Sequence, residues 1–337
     1  MKILVIGGAG YIGGTVASLL KAKGHRPVVF DNLCHSRREM VPAGVEFIES
    51  DLADRELLEG IFKAAREGGN PFHAVLHFAA LIEAGESMQR PGLYFRNNSA
   101  ATLSLLEAMV AQQIHRLVFS STAAVYGEPE SVPILESASL IPTNPYGQSK
   151  LLVEQMLAWF HRIHGLRYAS LRYFNVAGAP ESPGGIVRGE AHEPESHIIP
   201  LILDVALGRR KSISIYGNDY PTPDGTCVRD YIHVSDLADA HLLALNALEN
   251  EAAGETPLIY NLGSGNGFSV REVIESARRV TGHPIPAETQ PRRPGDAAVL
   301  VASSEKAIRE LGWKPRYTEL DAIVRTAWIW HQKRYTS

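Results

Sequence analysis

The chain has 337 residues, of which 45% are hydrophobic and 21% charged, and its formal net charge is -4. This length suits one large α/β unit or two unequal lobes, and the mild charge argues against a nucleic-acid partner or an anionic membrane surface. Two cysteines are too few for a disulfide framework or a cysteine metal site, which favours a reducing cytoplasm.

The first predicted strand, residues 2–6, is apolar and too short for a signal peptide or a membrane span. Three glycines in a G-x-x-G-x-x-G turn follow it, ahead of a helix predicted over 12–23. Their missing Cβ atoms let the backbone approach a pyrophosphate, and the helix N-terminus faces its charge. The residues predicted to contact a dinucleotide here are Gly7, Gly10, Tyr11, Ile12 and Gly13.

The second predicted strand, residues 27–30, ends at Asp31 and Asn32. An acidic residue at this distance from the glycine turn can accept hydrogen bonds from the ribose hydroxyls of an adenosine. Its charge would repel a 2′-phosphate, so the sequence favours NAD, while Arg37 and Arg38 keep NADP open.

Two further strands are predicted over 45–48 and 74–80. The strand over 45–48 leads to Asp51 and Leu52, which could bracket an adenine. The strand over 74–80 contains His77, which is interpreted as a strand histidine with its hydrogen bonds satisfied. No cluster of His, Asp and Glu has metal-ligand spacing in the sequence. The second strand ends in small residues over which a cofactor could lie, with predicted contacts at Phe78, Ala79 and Ala80.

Residues 93–113 are predicted as a long helix in which Asn97 or Asn98 could reach a nicotinamide ribose. The next strand, 116–119, runs into a row of hydroxyl residues that includes Ser121 and Thr122. Parallel sheets carry their sites at such strand ends, so either hydroxyl could bind a substrate alcohol, with Thr122 favoured.

Tyr146 and Lys150 lie one turn apart on one face of a predicted helix. A free phenol titrates near pH 10, and a cation about 4 Å away could lower its pKa by about three units. The pair is therefore a candidate acid/base, with an ordinary surface pair as the alternative.

A sixth strand over 168–173 is followed by Asn175, after which the pattern changes. We expect a Rossmann-type doubly wound parallel sheet over residues 1–176 and a smaller interleaved α+β lobe over 177–337. Strands near 231–233 and 258–262 are expected to return to the main sheet.

Several arginines of the second lobe could clamp a diphosphate, because guanidinium binds phosphate in a bidentate fork. Arg229 and the turn 292–296 are favoured because both lie in predicted loops. The other candidates are Arg209 and Arg210.

With these features together, the chain resembles the extended short-chain dehydrogenase/reductase family and, more narrowly, the UDP-glucose 4-epimerase family, over essentially its full length. The glycine turn and the Tyr-x-x-x-Lys pair mark only the superfamily, whereas 216–222 and 228–233 are more specific. The other segments that carry the resemblance are 31–33, 85–87, 144–150 and 172–175.

The resemblance implies that Tyr146 is the base, Lys150 its activator and ribose anchor, and Thr122 the serine/threonine hydroxyl. Implied cofactor contacts are Asn97, Ser120 and Tyr173. Implied substrate contacts are Asn175, His197, Ile198, Tyr216, Arg229, Arg293, Asp296 and Leu300. Leu300 stands where some members have a tyrosine, which leaves open the choice between plain and N-acetylated sugars.

The implied activity is interconversion of UDP-glucose and UDP-galactose through a 4-keto sugar, with tightly bound NAD, in a cytoplasmic homodimer formed by helices 93–113 and 146–164. Another 4-epimerase, acting on UDP-N-acetylglucosamine or a UDP-pentose, is the first alternative. A 4,6-dehydratase or decarboxylase is less favoured, because Ala123 and Ala124 stand where dehydratases have acidic residues. A non-catalytic NAD sensor is the last alternative.

Overall fold

The computed structural model describes residues 1–181, 185, 188–250, 256–293 and 296–336. Its strands are β1 Lys2–Ile6, β2 Arg26–Asp31, β3 Glu46–Glu49, β4 Ala74–His77, β5 Arg116–Ser120, β6 Arg167–Tyr173, β7 Asn175–Ala177, β8 Ile213–Tyr216, β9 Val228–His233, β10 Leu258–Leu262, β11 Gly267–Ser269, β12 Ala287–Gln290 and β13 Val299–Leu300. Its α-helices are α1 Tyr11–Ala22, α2 Arg55–Glu67, α3 Ala84–Gln89, α4 Pro91–Tyr94, α5 Ala101–Ala111, α6 Pro145–His164, α7 Ile198–Ala206, α8 Val234–Ala247, α9 Val270–Thr281, α10 Glu305–Leu311 and α11 Leu320–Thr336. Within the described ranges, no helix combines the length and the apolar character that a membrane span requires.

The chain forms two compact units, each assembled from separate segments. The first unit comprises Met1–Gly127, Leu140–Arg172 and Ala238–Tyr260. The second comprises Glu128–Ser139, Tyr173–Leu237 and Asn261–Ser337. A single boundary at residue 176 therefore does not separate the two units. Residues 128–139 and 173–176 belong to the second unit, and residues 238–260 belong to the first.

A seven-stranded sheet has the order β10-β6-β5-β4-β1-β2-β3. The pairs from β6 to β3 are parallel. The order reverses between β1 and β4, and ligands of open α/β sheets bind at the carboxyl ends of strands at such a point. The predicted α/β class with a doubly wound parallel sheet is confirmed.

The core of the first unit packs this sheet against helices α2, α5 and α6. The near-continuous apolar strands are typical of a parallel sheet, which is covered by helices on its faces. Each helix contributes a fully buried apolar stripe, for example Leu58, Leu105 and Val153. The helix that carries Tyr146 and Lys150 is thus fixed to the sheet by its other side chains.

The second unit is an α+β body with its own core of α7, α9 and α11 packed on β8. The expectation that residues 231–233 join the main sheet is wrong. They belong to β9, which pairs with β7, β11 and β13 in a separate sheet. Residues 231–233 pair with β7, and β11 and β13 pair with residues 228–230 of the same strand. Of the two returning strands expected, only β10 lies in the seven-stranded sheet.

The turn after β1 generates a prediction about stability. Gly7 has φ +76° and a Cβ there would lie 2.6 Å from the backbone N of Ala79, whereas Gly24 has φ +82° in open space. Alanine at either position costs about 1–2 kcal/mol of strain, and Gly7→Ala should lose about 1–3 kcal/mol more through the clash. Urea denaturation of both variants measures the difference, and equal losses would contradict the described packing of the turn.

Candidate active site

The glycine turn is shaped by close backbone packing. A Cβ on Gly13 would lie 2.3 Å from the carbonyl oxygen of Gly7, so these two glycines are required by the fold itself. Gly10 is the N-cap of α1, which has no side-chain cap and no acidic residue in its first turn. The N–H groups of that turn are therefore suited to an anion, and the residues fit a dinucleotide pyrophosphate.

Asp31 lies at the end of β2 against this turn. Its carboxylate accepts hydrogen bonds from the backbone N of Ala9 at 3.0 Å, the backbone N of Leu33 at 2.9 Å and Ser36 Oγ at 3.0 Å. A carboxylate has about four acceptor positions, so capacity remains for a ribose hydroxyl. Asp31 thus both stabilises the turn and fits the predicted role.

The predicted adenine residues are also brought together. Asn32 Nδ2 donates to Asp51 Oδ2 at 2.8 Å, and Leu52 beside them is buried. Phe78, Ala79 and Ala80 follow β4 and are partly exposed, as a surface for a cofactor requires. The Phe78 ring lies 4.8 Å from the ring of His241.

The predicted helix over 93–113 contains a π-helical segment, Phe95–Ala100, between α4 and α5. Such segments are frequent at functional sites. Its Asn98 is buried and hydrogen-bonds to both backbone groups of Leu81 and to Ser149 Oγ, all at 2.9–3.0 Å. Asn97 is partly exposed and donates to Asn98, so Asn98 positions the segment and Asn97 remains the predicted ribose contact.

The start of α6 places Tyr146 beside Thr122. Asn144 caps the helix by accepting a hydrogen bond from the backbone N of Gly147 at 2.9 Å. A Cβ on Gly147 would lie 2.5 Å from the carbonyl oxygen of Ala124, so this glycine lets the helix approach the turn after β5. The Thr122 hydroxyl hydrogen-bonds the Tyr146 phenol.

Lys150 is 3% exposed and its ammonium is held at the end of β5. Nζ donates to the carbonyl oxygen of Ser120 at 2.8 Å and lies 4.8 Å from the centre of the Phe119 ring. Burial lowers the pKa of Lys150 to about 7, although the charge of Glu154 raises it. The Ser120 hydroxyl is 3.3 Å from His241 Nε2, so in the structure Ser120 contacts the ammonium through its backbone.

The expected lowering of the Tyr146 pKa is wrong for this structure. Burial of the phenol raises its pKa, the hydrogen bond with Thr122 lowers it, and the charge of Glu83 raises it. Lys150 directs its ammonium to Ser120, so desolvation of the phenolate prevails.

Sequence reasoning missed a buried ion pair next to this site. Glu154 and Arg172 are 6% and 2% exposed, and their side chains form a bidentate ion pair. Ser121 Oγ donates to Glu154 Oε1 at 2.5 Å, which leaves Thr122 as the hydroxyl beside Tyr146. Two signals were available: an acidic residue one turn after Lys150, and an arginine inside a strand that is otherwise buried.

In the second unit, five predicted substrate residues form one connected group. The Arg293 guanidinium lies 3.9 Å from the centre of the Tyr216 ring, and their hydrogen bond lowers the pKa of Tyr216. The backbone N of Asp296 donates to the carbonyl oxygen of Arg293 at 3.4 Å, and Asp296 Oδ1 lies 3.5 Å from an Arg229 nitrogen. Leu300 pairs with Arg229 in the register of β13 and β9. Pro294 and Gly295 of the predicted turn lie outside the described residues.

The other predicted arginines have structural partners. Arg292 donates to Asp219 Oδ1 at 2.6 Å and packs over the Tyr220 ring. Arg209 donates to Asp204 Oδ1 at 3.0 Å, and Arg210 donates to the carbonyl oxygen of Ser212. Arg229 also has structural partners, because its Nη1 donates to the carbonyl oxygens of Val228 at 2.9 Å and Ala297 at 2.8 Å. The choice of the diphosphate-binding arginines therefore stays a prediction.

Asn175 is exposed at the start of β7 and donates to the carbonyl oxygen of Asp230 at 3.2 Å. Tyr173 at the end of β6 is partly exposed. His197 is the N-cap residue of α7, whose first residue is Ile198. These residues remain predicted contacts.

The interpretation that no cluster has metal-ligand spacing does not hold for one loop. Potential ligand atoms of Glu190, His192 and His197 lie within 4.8 Å of one another. The reason is two successive Glu-x-His turns, in which the Nδ1 atoms of His192 and His197 lie 2.5 and 2.8 Å from the carboxylates of Glu190 and Glu195. In the structure this network orients His197 at the start of α7.

The glycine turn and Asp31 on a doubly wound parallel sheet are typical of a dinucleotide-binding protein. The Thr122–Tyr146 hydrogen bond, with Lys150 one turn further along α6, has the arrangement that the resemblance predicts. Residues 3–263 match the NAD dependent epimerase/dehydratase family. The chain belongs to this family, and the predicted resemblance is confirmed.

Individual proteins named as UDP-glucose 4-epimerases are also similar to the chain. The chain is 54% identical over 330 residues to UDP-glucose 4-epimerase of Streptomyces lividans, which covers 98% of this chain and 96% of the relative. It superposes on UDP-glucose 4-epimerase from Brucella ovis in complex with NAD with a TM-score of 0.90, 44% identity and 97% coverage of both chains. The enzyme from Bifidobacterium longum in complex with NAD+ and UDP gives a TM-score of 0.90 at 38% identity, with 100% of this chain and 99% of that chain covered.

The burial of Lys150 should make the stability of the protein depend on pH. The pKa of Lys150 is about 7 in the folded protein and 10.5 in the unfolded chain. Between pH 7 and 10.5 the unfolded chain therefore binds more protons than the folded protein, and the free energy of unfolding rises with pH. Lys150→Met removes this dependence, at most about 1.4 kcal/mol per pH unit. The free energy of unfolding of Lys150→Met should exceed that of the wild type by the largest amount below pH 7, and the difference should shrink toward pH 10.

Denaturant titrations across this pH range measure the difference between the two proteins. Lys63→Met, at an exposed lysine of α2, is the control. A difference between Lys150→Met and the wild type that stays constant with pH would contradict a buried ammonium at this position.

Proposed function

We propose that this protein interconverts UDP-glucose and UDP-galactose by transient oxidation at C4 of the sugar. The observation that carries the proposal is the hydrogen-bonded pair of Thr122 and Tyr146 with Lys150 one helical turn away. The full-length similarity to UDP-glucose 4-epimerases supports the same substrate class.

The UDP group is assigned to the second unit. Arg229 and Arg293 supply positive charge and bidentate donors for the diphosphate, and Tyr216 supplies an aromatic ring for the uracil. Anchoring the nucleotide in this way leaves the sugar as the only part that has to move, so a 4-keto sugar can present its other face without dissociating.

Proton transfer is assigned to Tyr146 and Thr122. The Thr122 hydroxyl orients the sugar 4-hydroxyl, and the phenolate of Tyr146 takes its proton as the C4–H bond breaks. The phenol formed in this step returns the proton when C4 is reduced. Lys150 is assigned the role of nicotinamide-ribose anchor, since its ammonium is directed to the Ser120 carbonyl oxygen and does not lower the Tyr146 pKa.

The cofactor is assigned to the first unit. The residues that would hold NAD are the glycine turn, Asp31, the Asn32–Asp51 pair, the strand end at Phe78 and the Asn97 segment. Bound NAD would supply reversible acceptance of a hydride from C4, so the net redox change would be zero.

A 4,6-dehydratase needs further proton-transfer groups after Thr122. Ala123 and Ala124 occupy the short turn there and have no titratable atom. The buried Glu154 carboxylate is bonded to Arg172 and Ser121, which favours epimerisation over elimination.

We also infer that two copies associate in the cytoplasm through α5 and α6. Leu103 on α5 and Trp159 and Ile163 on α6 are 37%, 57% and 65% exposed. Exposed apolar residues grouped on adjacent helices are typical of subunit interfaces. Both cysteines are free, in agreement with a reducing compartment.

Tyr146→Phe tests the chemistry. Loss of the proton acceptor should reduce conversion of UDP-glucose to UDP-galactose by about 100- to 10,000-fold, measured by chromatography of the nucleotide sugars. UDP binding, measured by calorimetry, should stay near the wild-type value because the ring still packs. Turnover within a few-fold of the wild type would show that another group is the base.

Ile163→Glu tests the association. A charge in the apolar interface should shift the sedimentation coefficient from that of a dimer to that of a monomer. Ile141→Glu is the matched control, because Ile141 is 67% exposed and lies outside α5 and α6. If the wild type sediments as a monomer, or both variants sediment as dimers, this interface is wrong.

A further inference from the structure

The loop before α7 contains the same local structure twice. In the first turn, Glu190 Oε1 accepts hydrogen bonds from the backbone N of Ala191 at 2.7 Å and of His192 at 3.1 Å, and lies 2.5 Å from His192 Nδ1. In the second turn, Glu195 Oε1 accepts from the backbone N of His197 at 2.8 Å and lies 2.8 Å from His197 Nδ1. Each turn therefore holds one carboxylate beside one imidazole through the backbone.

The two turns bring their side chains to one place. One potential ligand atom from each of Glu190, His192 and His197 lies within 4.8 Å of the other two. Glu190 Oε2 is 3.9 Å from His197 Nδ1, and the centres of the two imidazole rings are 5.5 Å apart. Two imidazoles and one carboxylate are a known ligand set for Zn²⁺, with bonds of about 2.0–2.2 Å. Small shifts would therefore bring all three side chains to one ion.

The negative charge of this loop gives a second, independent indication of a cation. The side chains of Glu190 and Glu195 are each only 12% exposed, and Glu195 Oε2 is buried with no hydrogen-bond partner among the described residues. The Arg334 guanidinium beside the loop donates to Glu193 Oε1 at 2.8 Å and to the carbonyl oxygen of Ala191 at 3.3 Å. A buried carboxylate oxygen without a donor is unfavourable unless a cation compensates its charge.

The ligands are held on a fixed frame. Trp330 Nε1 donates to the carbonyl oxygen of Glu190 at 2.8 Å, and a Cβ on Gly189 would lie 2.4 Å from Trp330 Cδ1. At the other end of the loop, His197 is the N-cap residue of α7. Glu190 and His197 also line a cavity of about 330 Å³. The loop is therefore fixed to α11 and α7, with space beside the ligands for water on an ion.

We propose that Glu190, His192 and His197 form a binding site for one Zn²⁺ ion, in which Glu195 orients His197. The ion replaces the hydrogen bond between Glu190 and His192 as the link between these groups, and its two charges compensate the two carboxylates. Imidazole ligands favour Zn²⁺ over the hard cations Mg²⁺ and Ca²⁺. Because α7 begins at Ile198, the bound ion also fixes the start of this helix.

The first test is direct binding to the full-length protein, without an affinity tag and after treatment with a chelator. Calorimetric titration with ZnCl₂ should show one equivalent of tightly bound Zn²⁺. The midpoint of thermal unfolding should rise with zinc concentration, because the ion binds the folded chain. Mg²⁺ at the same concentrations should give neither effect. Bound Co²⁺ should give the visible absorption of an ion with nitrogen and oxygen ligands.

Three variants locate the ion. His192→Gln removes one ligand and should weaken Zn²⁺ binding by more than about 100-fold, whereas Glu195→Gln loses only the carboxylate that orients His197 and should weaken it by about 10- to 100-fold. His115→Gln, at an exposed histidine outside the loop, is the matched control and should bind Zn²⁺ like the wild type. Circular dichroism of each zinc-free variant measures its folding.

A wild type that binds no equivalent of Zn²⁺ would overturn the proposal and assign the two turns to ion pairs between protonated histidines and glutamates. Wild-type affinity in a folded His192→Gln, or an equal loss in His115→Gln, would also overturn it by placing the ion elsewhere. If His192→Gln does not fold, Glu195→Gln and the Co²⁺ absorption of the wild type decide the question. None of these measurements uses a UDP-sugar, so an inactive wild type would contradict the proposed function alone.

Discussion

The charge of Lys150 is the constraint on which the rest of the first unit depends. A buried ammonium is unfavourable unless it is hydrogen-bonded and compensated, and here the Ser120 carbonyl and the Glu154 carboxylate provide this. The acid in turn requires Arg172, which requires the Tyr126 hydroxyl. The buried ammonium of Lys150 thus belongs to a chain of buried polar groups that extends across β5, β6 and α6.

Close backbone approaches are the second physical requirement. Gly7 lets the turn after β1 pack on the end of β4, and Gly147 lets the start of α6 pack on the turn after Thr122. The first approach shapes an anion-binding helix N-terminus, and the second brings a phenol to a threonine hydroxyl. Both approaches require glycine, so the position of Tyr146 beside Thr122 depends on a residue without a side chain.

The sequence predicts those parts of the protein that local patterns determine. The glycine turn, Asp31 after its strand and the Tyr146–Lys150 spacing each follow from short motifs, and the parallel sheet follows from apolar strands that alternate with helices. The partners of β9 could not be predicted, because strand pairing depends on contacts between distant segments. The direction of the Tyr146 pKa shift was also predicted wrongly, because burial and the position of the Lys150 ammonium appear only in three dimensions. Glu154 and Arg172 are 18 residues apart in sequence and become partners only through the packing of α6 on β6.

The central claim is that hydrogen leaves C4 of the sugar and returns to the same carbon. The direct measurement uses UDP-glucose deuterated at C4, with the UDP-galactose product analysed by mass spectrometry and NMR. If C4 is oxidised transiently, the product keeps deuterium at C4, and a parallel reaction of unlabelled substrate in D2O introduces none there. Loss of the label to solvent would show that C4 is inverted by proton exchange and would contradict transient oxidation.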